Sequence, residues 1–309
     1  MSYLLQIAVD ALSLGSLYAL AALGIGLLFG ILRLVNFAHG DLISLCAYAL
    51  ILPAAGDSVT LPMLAVLPAP LLVAAIMLVG ALAANAADLT VFRPLRKASV
   101  TTLMIASFAI GYVLQNVLLG LYGGRPRNLD LWSGLNRQIV LPLGSGSVHV
   151  PLVQVVTILT TIVVVAALTL FLHRTRYGVQ MRAAAEDFRM ASYLGVRAHR
   201  VVGLAFALSG ALAGIVSLLY VSQTGALSRT LGVPLMLYAF IATVVGGMGS
   251  LVGAVLGGFL LGAVAVFLQA LLPPDLRPFR DAFVFSIVLV TLLLRPSGLV
   301  RNPALMERV

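Results

Sequence analysis

The chain has 309 residues, 61% of them hydrophobic and 9% charged, where an ordinary soluble domain carries roughly 25% charged residues. That composition excludes a soluble globular domain of useful size and defines an integral membrane protein. The formal net charge of +9 is not arranged as a basic run interleaved with aromatic rings, so it points to loops that orient a chain in the bilayer and away from nucleic acid.

Apolar segments of about 20 residues, enough to cross a bilayer at 1.5 Å per residue, recur along the sequence. They predict an all-α polytopic helical bundle of about eight or nine transmembrane segments, one transmembrane domain over 1–309, with broken or re-entrant helices where segments are short. The first covers 4–32. No Arg or Lys precedes Arg33, so the basic start of a cleavable signal peptide is missing and this segment is expected to remain.

"RLVNFAHGDL", residues 33–42, then sets Arg33, Asn36, His39, Gly40 and Asp41 between two apolar stretches. At a helix junction, free backbone groups and polar side chains satisfy one another. On that reading Arg33 and Asp41 pair across the turn, and Asn36 or His39 caps a helix end. The functional alternative places Asn36, His39, Gly40 and Asp41 on a translocation path, because polar groups at membrane depth face protein or a watery interior and broken helices form transport sites.

Segment 41–55 ends at Pro53 and reads as a half-helix or re-entrant element; 62–86, 99–122 and 149–172 read as spanning. The lone Cys46 excludes an intramolecular disulfide and reads as a small buried hydrophobe. Gln115, Asn116, Gln154 and Gln269 are expected to bond across helices, whereas Asp10 and Asp88, near segment ends, are expected to be solvated.

The longest polar stretch on the expected inner face is 173–199. From Gln180 to Leu194 it lacks Pro and Gly, predicting one short helix stopped at Gly195. Ala184, Phe188, Ala191 and Leu194 would share an apolar face, while Arg182, Glu186 and Arg189 form a more polar one. Such a helix either offers a docking surface to a cytosolic partner or lies in the headgroups.

Segments 200–222, 232–246, 251–272 and 278–295 complete the bundle. The segment beginning near Pro234 stops at Gly246, Gly247 and Gly249, a predicted helix break. Gly249, Gly253 and Gly257 recur every fourth residue beside a row of Ala254, Gly258 and Gly262. Gly26 with Gly30, and Gly210 with Gly214, repeat the spacing. Small-residue rows let helix backbones touch where lipid offers no hydrophobic drive, here within the chain or across a dimer. If every segment crosses, Arg33, Arg93, Arg96, Lys97, the arginines from Arg174 to Arg200, Arg295, Arg301 and Arg308 lie inside. Arg125, Arg127, Arg137, Arg229, Arg277 and Arg280 then lie outside, which predicts an outward N-terminus.

"RAAAEDFRMASYLGV" resembles the coupling segment of ABC-importer permeases, an alanine-rich helix with an acidic residue before a glycine. Together with "LRLVNFAHGDLISLCAY", "VVGGMGSLVGAVLGGFLLG" and "LLRPSGL" it resembles the LivH-type permeases of branched-chain amino acid importers, in order over residues 32–299. The order Ala-Ala-Ala-Glu-Asp departs from the general Glu-Ala-Ala pattern and suits this branch. The resemblance implies a bacterial inner-membrane permease that is not itself an enzyme. It implies coupling to an ATPase through Arg182, Ala185, Glu186, Asp187, Arg189, Ala191 and Gly195. It also implies a second permease of a LivM-type chain, two ATPase subunits that bind ATP and Mg, and an extracytoplasmic solute-binding protein. The loop 123–148, with Arg125, Arg127, Asp130, Trp132 and Arg137, would dock that binding protein or form a polar lid. Branched-chain or other hydrophobic amino acids lead as solutes, with urea, short amides and small aromatic acids as alternatives.

Other chemistries are poorly supplied. A P-loop needs Lys followed by Ser or Thr, but the only lysine, Lys97, precedes Ala98. "GGMGSLVG" lacks the GxGxxG spacing and a preceding strand. His39, His149, His173 and His199 are scattered without metal-ligand spacing. An intramembrane enzyme or a passive channel is the rival class, and a channel would leave the docking helix without a purpose.

Overall fold

The computed structural model describes residues 2–53, 60–96, 98–143, 146–296 and 298–300. Its helices are α1 (Ser2–Leu32), α2 (His39–Tyr48), α3 (Ala69–Ala87), α4 (Val100–Tyr122), α5 (Leu152–Arg174), α6 (Arg176–Glu186), α7 (Phe188–Tyr193), α8 (Ala198–Thr224), α9 (Gly232–Gly246), α10 (Leu251–Leu271) and α11 (Arg280–Leu294). Short strands β1 (Arg127–Asn128) and β4 (Ala226–Leu227) pair antiparallel, as do β2 (Gln138–Leu143) and β3 (Gly146–Pro151), with Gln138 opposite Pro151.

Among the described residues, six helices are long and apolar enough to cross a membrane: Tyr3–Leu32, Ala69–Phe92, Val100–Tyr122, Leu152–Arg174, His199–Thr224 and Leu251–Leu271. The other three expected segments fold into the shorter helices α2, α9 and α11. The reasons are local. A polar joint precedes α2, and after it Leu52 N–H donates to Leu61 O at 2.8 Å, turning the chain back. Pro273, Pro274 and Pro278 hold Pro274–Phe279 in a 3-10 turn, so α11 starts only at Arg280. Segment 62–86 likewise starts late, at Ala69, and runs on through a π-helical turn, Asp88–Phe92.

Contacts group the chain into two compact units. One comprises Gly24–Leu131 and Ala167–Leu237. Here α3 and α8 cross with Gly80 against the backbone of Gly210, and Gly214 against Ile76; a methyl at Gly80 or Gly210 would overlap the facing carbonyl. Phe92 and Phe206 meet with ring centroids 5.1 Å apart. Asp88, expected to be solvated, is instead buried and ion-paired to Arg96 at 2.9 Å, because the π turn brings the two side chains together over one extra residue.

The other unit comprises Met1–Leu23, Trp132–Ala166 and Tyr238–Val309. Its packing uses the small-residue rows of α10. Gly258 lies on Ala19 and Gly262 on Gly15 of α1, while Gly257 meets Ala242 and Gly253 meets Gly246 of α9. These glycines therefore close contacts within the chain. Gly247 at φ +108 and Gly249 at φ +85 break the chain after α9, and Ser250 Oγ caps α10 by accepting from Gly253 N–H at 3.0 Å. Leu299 N–H donates to Val245 O and Val300 N–H to Gly246 O, at 2.8 and 3.0 Å. The predicted break is thus also an anchor for the chain after α11. Asp10, expected to be solvated, accepts from Gln154 Nε2 at 2.9 Å and from Gln6, so the α1–α5 contact has a polar tie.

Candidate functional site

The joint between α1 and α2 is built from the residues that the sequence marks. Helix α1 ends at Leu32, and Arg33 takes a left-handed φ of +53°, a conformation that costs a non-glycine residue roughly 1–2 kcal/mol. Asn36 Oδ1 accepts from Ala38 N–H at 3.1 Å, and Asn36 O accepts from His39 N–H at 3.2 Å. The short amide side chain thereby turns the backbone into α2. Neither expected cap forms: the N-cap of α2 is Ala38, without a side-chain cap, Asn36 closes the turn before it, and His39 is the first residue of α2.

Side chains from two neighbouring helices complete the joint. Phe37 N–H donates to Ser107 Oγ of α4 at 3.1 Å, and the Phe37 ring stacks on Phe108 at 4.3 Å. His39 is fully buried, with Nδ1 3.2 Å from Ser209 Oγ of α8. The Ser209 hydroxyl donates to Gly24 O at 2.9 Å. A hydroxyl has one proton, so His39 Nδ1 is the donor in its contact and Nε2 is left as an acceptor. That Nε2 has no partner among the described residues and lies against Gly24, where a methyl would collide with the ring. Asn36 Nδ2, a buried donor, is also unpartnered among the described residues.

Asp41 does not pair with Arg33. Arg33 is exposed, and Asp41 Oδ1 accepts from Gln115 Nε2 of α4 at 2.8 Å. The left-handed turn at Arg33 carries its guanidinium outward, and an amide satisfies the buried carboxylate without a second buried charge. Gly40 sits against the backbone of Gly232 at the start of α9, and Ser44 Oγ accepts from Gly232 N–H at 3.0 Å. Of the other expected cross-helix amides, Gln115 and Gln154 bridge helices. Asn116 instead donates to Tyr112 O of its own helix, and Gln269 is exposed.

The single helix expected from Gln180 to Leu194 is instead split between α6 and α7. Thr175 Oγ caps α6 by accepting from Gly178 N–H at 3.0 Å. The helix ends at Glu186 because Asp187 is extended, φ −146° and ψ 109°. Its Oδ1 accepts from Met190 N–H at 3.1 Å and starts α7. An Asp at that position competes for backbone donors and favours a fresh helix start over continuation. Gly195 at φ +86° closes α7: its N–H donates to Ser192 O and Val196 N–H donates to Ala191 O, both at 3.1 Å, the paired bonds of a glycine-terminated helix.

The break also divides the expected apolar face. Ala184 and Ala191 are buried, but Leu194 is 85% exposed, alongside Tyr193 at 82% and Met190 at 62%. The side chains of Phe188 and Arg189 lie outside the described residues, as do Lys97, Arg301 and Arg308. Arg182 and Glu186 are exposed on α6 one turn apart; among the described residues the ion pairs are Arg96 with Asp88 and Arg280 with Asp281. The segment therefore presents an apolar tip at its glycine stop, flanked by charge.

The loop after α4 folds back as β1, which pairs with β4, and Arg127 is buried with Nη2 donating to Tyr122 O at 2.9 Å. The β2–β3 hairpin follows, and His149 N–H in it donates to Gln6 Oε1 at 3.1 Å. Sequence reasoning missed Ser44, Ser107, Ser209 and Gly232. Their signal is faint: isolated small polar residues inside apolar helices, which identify a partner only once the helices are packed.

A multi-helix membrane fold, a polar joint held by three helices and a capped polar helix pair define a membrane transport component. The family described as "Branched-chain amino acid transport system / permease component" matches residues 7–293. The permease protein BraD of Pseudomonas aeruginosa is 30% identical over 97% of this chain and 96% of its own length. LivH of Escherichia coli K12 is 32% identical and LivH of Salmonella typhimurium 31%, each over 97% of this chain and 96% of theirs. All three are high-affinity branched-chain amino acid transport system permease proteins. The chain belongs to this family of ABC transporter permease components and is a multi-pass protein of the bacterial inner membrane. No solved structure matches.

Proposed function

We propose that the chain forms half of the translocation pathway of an ATP-binding-cassette importer for branched-chain or other hydrophobic amino acids. A second, LivM-type permease supplies the other half, two ATPase subunits bind ATP and Mg, and an extracytoplasmic binding protein delivers the solute. The observation that carries the reading is the α6–α7 segment. Three large apolar side chains, Met190, Tyr193 and Leu194, stand exposed beside a glycine stop, where an isolated membrane chain gains nothing from exposing them. A groove on an ATPase covers them, with Arg182, Glu186, Asp187 and Arg189 at its rim, Ala185 and Gly195 allowing close approach, and the buried Ala191 holding the tip onto its own chain.

In the cycle, ATP binding draws the ATPases together and α6–α7 passes that motion to the bundle. The α1–α2 joint is the part of the path built to change. Its unpartnered acceptor at His39 Nε2 and unpartnered donor at Asn36 Nδ2 are buried polar groups whose penalty a second arrangement of the joint relieves. Gly40 and Asp41 complete that surface.

The test is purification of the tagged chain from its native membrane in mild detergent, with crosslinking from 180 to 195. Recovery of P-loop ATPases and a second permease, together with ATP-dependent uptake of L-leucine in reconstituted vesicles, is expected. Recovery of the chain without any ATPase, even after crosslinking, overturns the importer reading.

A further inference from the structure

The aromatic and charged cluster where α9 meets α11 carries a separate inference. Tyr238 of α9 stacks on Tyr18 of α1, centroids 4.6 Å apart and planes 4° from parallel, and tilts against Phe285 of α11 at 5.6 Å. Its hydroxyl donates to Asp281 Oδ1 at 2.6 Å. Arg280 donates to the same oxygen through Nε at 2.9 Å, and its Nη2 lies 2.8 Å from it as an ion pair. Two hydrogen bonds therefore converge on Oδ1, while Oδ2 takes none among the described residues. The guanidinium likewise keeps its Nη1 group uncommitted among the described residues. Asp281 is 54% exposed at its side chain and Arg280 30%, whereas Tyr18 and Tyr238 behind them are almost fully buried.

One carboxylate oxygen is thus held by the tyrosine and the guanidinium, and the half-exposed side chain leaves the other oxygen without a hydrogen bond among the described residues. Phe285 follows Asp281 by four residues and shares its face of α11, about 5–6 Å along the helix, with its ring 37% exposed. An ammonium acceptor, a carboxylate donor and an apolar surface one turn away match the three parts of a hydrophobic α-amino acid. A structural tie between helices would be complete without the open oxygen.

We infer that Arg280, Asp281 and Phe285, backed by Tyr238, form a weak contact site for a zwitterionic hydrophobic amino acid. The inference rests on the importer reading for its solute class. Asp281 Oδ2 accepts from the ammonium, Arg280 donates to the α-carboxylate, and the aliphatic chain lies on Phe285. The site holds solute weakly because transport requires release as well as entry.

The test uses the full chain in lipid nanodiscs, with saturation-transfer NMR to the methyl protons of L-leucine. Saturation is expected with L-leucine and is expected to be weak with 4-methylpentanoate, which lacks the ammonium, and with leucinamide, which lacks the carboxylate. Asp281→Asn keeps an acceptor for Tyr238 and Arg280 but removes the charge, and should weaken L-leucine binding about tenfold or more. Tyr238→Phe should weaken it less, by freeing the carboxylate to rotate. Equal saturation by L-leucine and 4-methylpentanoate, no saturation by either, or unchanged L-leucine binding in Asp281→Asn overturns the site. ATP-dependent L-leucine uptake measured in parallel separates the two ideas: uptake without this binding leaves the importer reading standing, and ATPase-free purification without uptake removes that reading alone.

Discussion

Two helix interruptions in one compact unit, the α1–α2 joint and the α6–α7 break, use nearly the same local grammar with opposite results. Each has a short acidic or amide side chain that bonds a backbone N–H where the next helix begins, Asn36 Oδ1 on Ala38 N–H in the turn before α2 and Asp187 Oδ1 on Met190 N–H in α7, both at 3.1 Å. Each also has a left-handed residue, Arg33 or Gly195. The first is buried against α4, α8 and the start of α9 and has side-chain or ring contacts to two of them. The second leaves Tyr193 and Leu194 more than 80% exposed. Polar density marks where a helix stops; the surfaces packed around the stop decide whether it becomes a buried joint or a docking tip.

If that contrast holds, substitutions at the joint act on stability and those at the break act on coupling. The largest effect is expected for Gly232→Leu, whose side chain would run into the Gly40 carbonyl; overpacking there should cost about 3 kcal/mol or more, read as loss of the monodisperse peak in detergent. Gln115→Ala leaves the Asp41 carboxylate buried without its amide donor and should cost about 1–3 kcal/mol in thermal unfolding. Gly195→Val forces a branched side chain into a left-handed φ at about 1–2 kcal/mol, with ATP-dependent uptake falling further than the melting temperature.

Asn36→Ala removes a buried turn hydrogen bond worth about 1 kcal/mol and should lower the melting temperature without lowering ATPase recovery. The smallest stability change, within about 0.5 kcal/mol, belongs to the double reversal Glu186→Lys with Arg189→Glu. It should nevertheless separate ATP hydrolysis from uptake in reconstituted vesicles. Normal coupled uptake by that double variant would erase the distinction between joint and tip.

The sequence made the joint legible because Asn36 and Asp41 are costly in an apolar run, and it made the α9–α10 break legible because Gly247 and Gly249 can adopt positive φ. Its small-residue rows marked close helix contact without saying whether within the chain or across a dimer, and Gly253 and Gly257 make theirs within the chain. The Arg33 and Asp41 pairing misled, since spacing along the chain says nothing of Gln115, 74 residues away. Asp88 misled for a related reason: a π turn, which carries no sequence signature, brought Arg96 within reach. Leu194 fitted the helical period of one helix, but the extended Asp187 resets that period and turns Leu194 outward. Ser107 and Ser209 were hidden because a serine in an apolar helix usually bonds its own backbone.

The packing of Gly262 on Gly15 and Gly258 on Ala19 also sets a timetable. Helix α1 is synthesised first, yet the α10 surface that covers it emerges roughly 240 residues later, about 12–48 s at 5–20 residues per second. Throughout that interval the first span waits in the membrane with its small-residue stripe open to lipid or to the insertion machinery. A chain stalled before α10 would therefore be a substrate for membrane proteases, even though most of its hydrophobic segments had already been inserted.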